Sequence, residues 1–423
     1  MKTNSRTYDF IVIGGGPSGM MAAGRAAELG ARVLILEKNK QFGRKLLLTG
    51  GGRCNITNAI FDTREFLENF PQEKHFLYSP FSKFSAKNTF DFFEKLKLPL
   101  IVEARQRVFP KTQQSADVVL AMEKYMKENN VEMKKDVQVK SIEQNNKGRW
   151  IVKTKETEFS ARKIALATGG LAAPDTGSTG DGFKMLKSLG HEIEFSFPNL
   201  VPLKVKESWV HALSGVTLSF ITISFIQKGK VKFKKTGKVL FTHFGLSSPL
   251  ILNCAFEVRK LLKIGRVQAS IDMFPDTEEK DLDRKIRNLF EKNKKKMLKN
   301  VLPELLPEAI AKEVLNFSEI KLEERAASSI TKEERKKLVN KLKNLTFEIT
   351  GTLGFDKAIT STGGVNPQKI NFKNMTSNVF NSLYLIGDTI DINRPSGGFS
   401  LQMCWTTGWV AGTDVGEKIT ASR

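Results

Sequence analysis

Short apolar runs alternate along this chain with polar or glycine-rich turns, and their lengths predict the elements. Phe10 to Ile13 is an apolar run of the length of a buried strand. A small-residue helix follows, slim at Ala22, Ala23, Ala26 and Ala27, and after Gly30 a second apolar run, Val33 to Leu36, predicts another strand. Thr89 to Leu96 has helical spacing, with Phe90, Phe93 and Leu96 on one face. Arg105 to Pro110 reads as a loop ended by proline. Ser115 is placed to cap a helix through Lys127, stopped by Asn129-Asn130. Val137 to Ile142 and Trp150 to Thr154 alternate as strands around an Asn-Asn-Lys-Gly turn. Lys163 to Ala167 predicts a buried strand ending in Thr168-Gly169-Gly170, and Gly177 to Gly182 opens a helix, Phe183 to Leu189.

The pattern changes between Phe195 and Leu345. Alternating strands come first (Leu218 to Ile226, Val231 to Phe233, Val267 to Ile271), with a helix after the N-cap signal Ser248-Pro249. The stretch from Asp276 to Leu345 is charged and helical. Buried-strand and turn patterns then return: Ser382 to Ile386 ends in Gly387-Asp388, and Gly397-Gly398-Phe399-Ser400 opens a helix through Val410. The expected organisation is α/β over 1–194 and 346–423, interrupted by a β domain, 195–275, with a helical subdomain, 276–345.

The first turn carries chemistry. Gly14, Gly16 and Gly19 stand at G-x-G-x-x-G spacing directly after the first strand. The first glycine permits a tight turn, the second a close approach of a pyrophosphate, the third close packing of helix on sheet. Ser18 lies in the same helix start, whose free N–H groups favour phosphate. Glu37 ends the second strand about 20 residues on, where a ribose-binding carboxylate belongs. A second basic, glycine-rich stretch follows, with Arg44, Lys45, then Thr49-Gly50-Gly51-Gly52-Arg53-Cys54-Asn55. A nicotinamide-only Rossmann unit does not need it, whereas FAD, running from the first strand to a distant ring, does. Thr168 and Gly169 end a strand and so offer another dinucleotide contact. Asp388 would meet a ribityl hydroxyl, and the helix opened by Gly398 would face the flavin pyrimidine.

Composition limits the alternatives. Of 423 residues, 40% are hydrophobic and 26% charged, as in ordinary soluble proteins, and no apolar run approaches a membrane span. The polar start, Met1 to Tyr8, does not read as a signal peptide. Cys54, Cys254 and Cys404 lie far apart, which argues against a disulfide scaffold or a metal site and for a reducing, cytoplasmic setting. The net charge of +22 raises nucleic acid as a partner, through the basic insert. Lys230, Lys232 and Lys234 alternate with Val231 and Phe233, however, as on the wet face of a strand.

These motifs together resemble a bacterial flavoprotein family that includes aminoacetone oxidases and BaiN-like (YhiN-like) bile-acid-reducing enzymes. The matching stretches are GGGPSG, GRKLLLTGGGRCNITN, RVFP, ATGG, GSTGDG, FTHFGLSSP, TSTGGV and GDTIDINRPSGGFSLQ, in order over nearly the whole chain. The resemblance implies a Rossmann-like FAD domain of the glutathione-reductase type, split by a small β-barrel with a helical subdomain. It implies that Gly14, Gly16 and Gly19 hold the pyrophosphate and Glu37 the adenosine ribose, with Lys38 beside it and Val137 meeting adenine through its backbone. Arg44, Lys45 and the Thr49 to Asn55 loop would follow the ribityl chain. Gly387, Asp388, Gly398, Phe399, Ser400 and Leu401 would hold the ring end. The family usually has Gly-Glu in place of Gly387-Asp388, and Gly-Gly-Tyr-Asn in place of Gly397-Gly398-Phe399-Ser400.

The function expected is an FAD-dependent oxidoreductase that moves a hydride between flavin N5 and a small organic substrate. The chain has no second G-x-G-x-x-G unit, so NAD(P)H would bind transiently over the flavin, or another donor or oxygen would serve. No acid/base pair stands out. His243, ahead of a helix start, and Arg107, in the Arg-Val-Phe-Pro stretch, are the candidates for substrate contact. Cys54 reads as a small buried thiol.

Overall fold

The computed structural model describes residues 2–316 and 325–421. Its contacts divide the chain into two compact units, Met1–Asn199 with Phe355–Arg423, and Leu200–Gly354. In the first unit β1 (Lys2–Ile13), helix α1 (Pro17–Glu28) and β2 (Val33–Leu36) form the unit expected from the patterning. β1 lies between β2 and Thr157–Leu166, parallel to both. The sheet runs from Glu132–Lys134 through β2, β1, Thr157–Leu166 and Leu383–Leu385 to Thr376–Ser377 and Ile370–Asn371. The Val139–Gln144 and Trp150–Thr154 hairpin attaches to one edge of Thr157–Leu166. Every side chain of β2 is buried, as befits a parallel strand covered on both faces.

The last helix, Phe399–Thr420, is ten residues longer than the apolar pattern suggested, and it lies along α1. Glycines at four-residue spacing make this approach close. A Cβ on Gly408 would run into Ser18 O, one on Gly412 would sit 2.6 Å from Ala22 O, and one on Gly416 would strike Leu29. The alanines of α1 are the other half of this contact. A Gly–Ala seam lets the backbones approach where larger side chains would force them apart.

Other expectations needed correction. Arg107–Pro110 is a strand: it forms an antiparallel hairpin with Leu100–Glu103 just before it and pairs on its other edge with the distant Thr57–Asn58. Ser115 is the first helical residue, not the N-cap, and its hydroxyl donates to Leu47 O instead. The segment 61–80, unplaced by pattern, holds the helix Thr63–Leu67 and the start of the helix Lys74–Lys83.

The second unit contains a closed antiparallel barrel in the order Leu203–Val205, Gly245–Ser247, Lys230–Thr242, Thr217–Gln227, Val267–Asp272, Leu345–Thr352. The last strand closes the ring by pairing with the first. Residues 346–354 therefore belong with the insert, not with the final α/β segment, and the unit begins at Leu200 rather than Phe195. Ser248 caps the helix Pro249–Ile264 as its sequence signal suggested, accepting from Ile251 N–H at 3.3 Å. Three longer helices, Glu279–Lys292, Glu308–Asn316 and Lys332–Lys343, fill the charged stretch, whose residues 317–324 lie outside the described ones. No helix among the described residues is long and apolar enough to cross a membrane.

Candidate active site

The three glycines after β1 differ in what surrounds them. A Cβ on Gly14 (φ +108°) would meet Ala167 O at 2.5 Å, and one on Gly19 would strike Gly14 O. Gly16 has nothing within 4 Å of the position a Cβ would take. Two glycines thus seat the helix against the sheet, and the middle one leaves an open approach at its start. α1 has neither a side-chain cap nor an acidic residue in its first turn, so its leading N–H groups are free to meet an anion. Ser18 is buried there against Gly387.

Glu37 directly follows β2 and is 7% exposed. Its carboxylate accepts from Gly15 N–H (2.6 Å), Asn39 N–H (2.8 Å) and Asn39 Nδ2 (2.7 Å). It braces the glycine turn. Lys38 turns across to Thr179 Oγ1 (2.6 Å) and Asp181 Oδ2 (2.8 Å), tying β2 to the Gly177–Gly182 turn. The Val137 N–H donates to Glu37 O at 2.9 Å, so its carbonyl alone is left for an adenine.

Gly50, Gly51 and Gly52 all have positive φ, and Gly51 and Gly52 face open space. Side-chain anchors hold this loop. Arg53 donates to Glu103 Oε1 and Gln113 Oε1, each at 3.0 Å, and lies 4.2 Å over the Phe109 ring. Arg44 is exposed, reaching Asn39 Oδ1 at 3.3 Å. Thr49 bonds Leu46 O. Cys54 is fully buried, and burial pushes its thiol up to about 12. Asn58, 4% exposed, donates to Gly397 O at 3.1 Å, and Thr57 Oγ1 donates to Gln402 Oε1 at 2.5 Å. These bonds bring the second glycine loop to the start of the last helix.

At that start the structure corrects the sequence reading. Gly398 is packed on the backbone of Thr57 and Asn58, and a Cβ would approach Asn58 N at 2.8 Å, so the glycine is needed for packing. Gly397 (φ +116°) has only its neighbour's ring, Phe399, within 4 Å, and is the open glycine of the pair. The Phe399 side chain enters an aromatic cluster, 4.9 Å from Phe66 and 6.1 Å from Phe70. Leu401 is buried as well, which leaves the backbone N–H groups as what this turn can offer. The helix has no side-chain cap and no acid in its first turn.

Asp388 is held by Arg394, which pairs with its Oδ1. Burial would push the Asp388 carboxyl up, but Arg394 and then Lys45 hold it below its ordinary value. Burial lowers the Lys45 amine, opposed by Asp388. Arg394 also donates to Ser400 Oγ, so it bridges the two places where this chain departs from the family pattern. Sequence reasoning missed Arg394 as a site residue, because nothing in a Pro-flanked arginine says that it folds back on an acid six positions earlier. Glu73 and Asp391 face it, and burial raises both carboxyls.

Of the two expected catalytic residues, Arg107 is spent on Glu103 (3.6 Å) and Ala104 O (3.1 Å). His243 is exposed on the turn between Lys230–Thr242 and Gly245–Ser247, its ring 4.9 Å from that of Phe244.

The residues present suit FAD. Gly16, Gly51 and Gly52 leave room for close approach. Thr168 Oγ1 and Asn55 Oδ1 are buried without a hydrogen-bond partner, a costly arrangement that a ligand would relieve. The fold and this site define a Rossmann-type FAD-dependent oxidoreductase with an inserted barrel. More particularly, the chain belongs to the HI0933-like family: the model described as "HI0933-like protein Rossmann domain" matches residues 8–414. It is 28% identical to a 3-dehydro-bile acid delta(4,6)-reductase of Clostridium scindens, over 96% of this chain and 98% of that protein. It is 26% identical to a ribosomal RNA dihydrouridine synthase of Haemophilus influenzae, over 98% of this chain and 100% of that protein. Among solved structures, the fold resembles a 3-ketosteroid-delta4-(5alpha)-dehydrogenase from Rhodococcus jostii RHA1, with a TM-score of 0.54, 12% identity and 97% of each chain covered.

Proposed function

We propose that this enzyme reduces a carbon–carbon double bond conjugated to a carbonyl. One observation carries the reading. The relatives that match along nearly their full length are a delta(4,6)-reductase and dihydrouridine synthases, and both names describe hydrogen added across such a bond. FAD, when bound, supplies a hydride at N5. The chain's own part is placement. Gly16 and the N–H groups of α1 receive the pyrophosphate. Glu37 takes the adenosine ribose while bracing the Gly15 turn. Thr168, Gly169, Asn55 and the Gly50–Gly52 loop follow the middle of the dinucleotide. Gly387, Asp388, Gly397 and the leading N–H groups of Phe399–Thr420 take the ring end. His243 and Arg107 carry no step here.

The acceptor is a small enone. The rival idea, a flavin-bearing nucleic-acid-binding protein using the basic insert, gains nothing from relatives named as a reductase and as synthases. A uracil ring within RNA has the same conjugated bond, however, and exposed lysines such as Lys232, Lys234 and Lys235 make it worth a separate arm. The test is anaerobic stopped-flow. Protein reduced by NADH, NADPH or dithionite is mixed with Δ4 and Δ4,6 3-ketosteroids, with simple enones, with amines as controls, and with a uridine-containing rRNA fragment. Return of the oxidised flavin absorbance with an enone supports the reading, and return only with the RNA moves the acceptor to uracil. Reduction of oxidised enzyme by an amine, with no response to any enone or uracil, overturns it.

A further inference from the structure

Arg394 is 5% exposed, and its guanidinium is spent within one turn of chain. Nε donates to Ser400 Oγ at 3.2 Å, Nη1 to Ile392 O at 2.7 Å, and Nη2 to Asp388 in an ion pair. A guanidinium keeps its proton in proteins, so this charge is permanent. Burying such a charge is unfavourable unless an anion answers it.

Asp388 is shared between Arg394 and Lys45. Two other acids lie near Arg394; burial raises both carboxyls, opposed at Glu73 by the Asn393 N–H, at Asp391 by the Gly363 N–H, and at both by Arg394. Cys404, also close to Asp388, is a thiol pushed up to about 12 and stays neutral. The uncapped start of Phe399–Thr420 adds the positive end of a helix dipole at Ser400. At the ring end, then, a permanent guanidinium is paired with Asp388 beside the start of a helix. A flavin gains negative charge near N1 and O2 on two-electron reduction, and a positive surround favours that form.

We propose that Arg394 sets the reduction potential of the bound flavin: it locks Asp388 and Ser400 together and holds a permanent positive charge beside Asp388 at the ring end of the site, favouring the reduced cofactor. Arg394 is a positioning and charge-setting residue, not a catalytic one. The inference rests on the placement of the flavin ring between Asp388 and the last helix.

Dye-coupled redox titration of the FAD-loaded protein tests it. Arg394→Gln should lower the potential, by about 30 mV for each tenfold loss of preference for the reduced form, and at least one tenfold is expected. Arg394→Lys keeps the charge and should stay nearer the parent. Asp388→Asn, nearly isosteric, should raise the potential. An unchanged potential in Arg394→Gln overturns the proposal, as does a shift of the same sign in Arg394→Gln and Asp388→Asn. If Arg394→Gln fails to hold FAD, Asp388→Asn decides alone, and a potential that does not rise overturns the proposal. The visible spectrum separates this failure from a failure of placement. Unperturbed flavin bands in both variants would mean that the ring lies elsewhere, whereas shifted bands with an unchanged potential would refute the role of Arg394 alone.

Discussion

Glu37 shows how one side chain serves two ends. Its buried carboxylate holds Gly15 N–H and Asn39 N–H, and it stands where an adenosine ribose would be met. Glu37→Ala is expected to weaken FAD binding by about 1–3 kcal/mol, the range for losing charge-assisted hydrogen bonds. It should also lower the stability of the FAD-free protein, because a backbone donor is orphaned. Titration of apo-protein with FAD and urea unfolding measure the two effects. A loss of affinity with no loss of apo stability would contradict the bracing role. The acids around Arg394 make a prediction with a sign. Burial raises the Glu73 carboxyl above its ordinary value. Its ionisation in the folded state is thus penalised, and stability falls as pH rises from the ordinary carboxylate value through the raised one. Glu73→Gln removes that contribution, so the melting temperature of the variant should fall less than the parent's across that window. All three cysteines are buried with thiols at about 12, so alkylation at neutral pH should wait for unfolding.

Between elements, the α1 contact with Phe399–Thr420 is the most demanding. Gly412 faces the Ala22 carbonyl and the Arg25 side chain at distances no Cβ tolerates. Gly412→Val should therefore cost about 1–3 kcal/mol, the range for overpacking, with m unchanged in urea. A neutral result would mean that the helices can part freely. The glycine spacing was visible in the sequence, but its partner face was not. The same holds at Gly398: the sequence suggested a cofactor-facing glycine, and the structure reveals one pressed on the Thr57–Asn58 strand. A side chain there would report on folding before it reported on the flavin.

For the molecule as a whole, the second unit leaves the first at Asn199 and the chain returns at Phe355. Pro198–Asn199 pairs antiparallel with Thr360–Ser361, so the two crossing points are held together within the first unit. Replacing 200–354 by a short Gly-Ser linker should leave a yellow protein that releases FAD on denaturation, because the residues assigned to the dinucleotide lie outside the excised stretch. A colourless product with native-like circular dichroism would show that the insert takes part in holding the cofactor.

Local physics in the sequence determined the strand–helix–strand at the start, the dinucleotide turn and the cofactor class. A buried apolar run, glycines at fixed offsets and an acid at a strand end each act on neighbours within some 30 residues, so linear spacing carries them. The second glycine loop and the strand ending in Gly387-Asp388 were legible for the same reason. The tertiary structure alone decided that Thr57–Asn58 pairs with Arg107–Pro110 and that Leu345–Thr352 closes the barrel, since a ladder depends on partners that linear pattern does not name. It alone turned Arg53 to Glu103, Phe399 into the Phe66 cluster and Arg394 back onto Asp388. The direction of a side chain is set by which distant charge or ring comes within reach on folding, and that is settled in three dimensions.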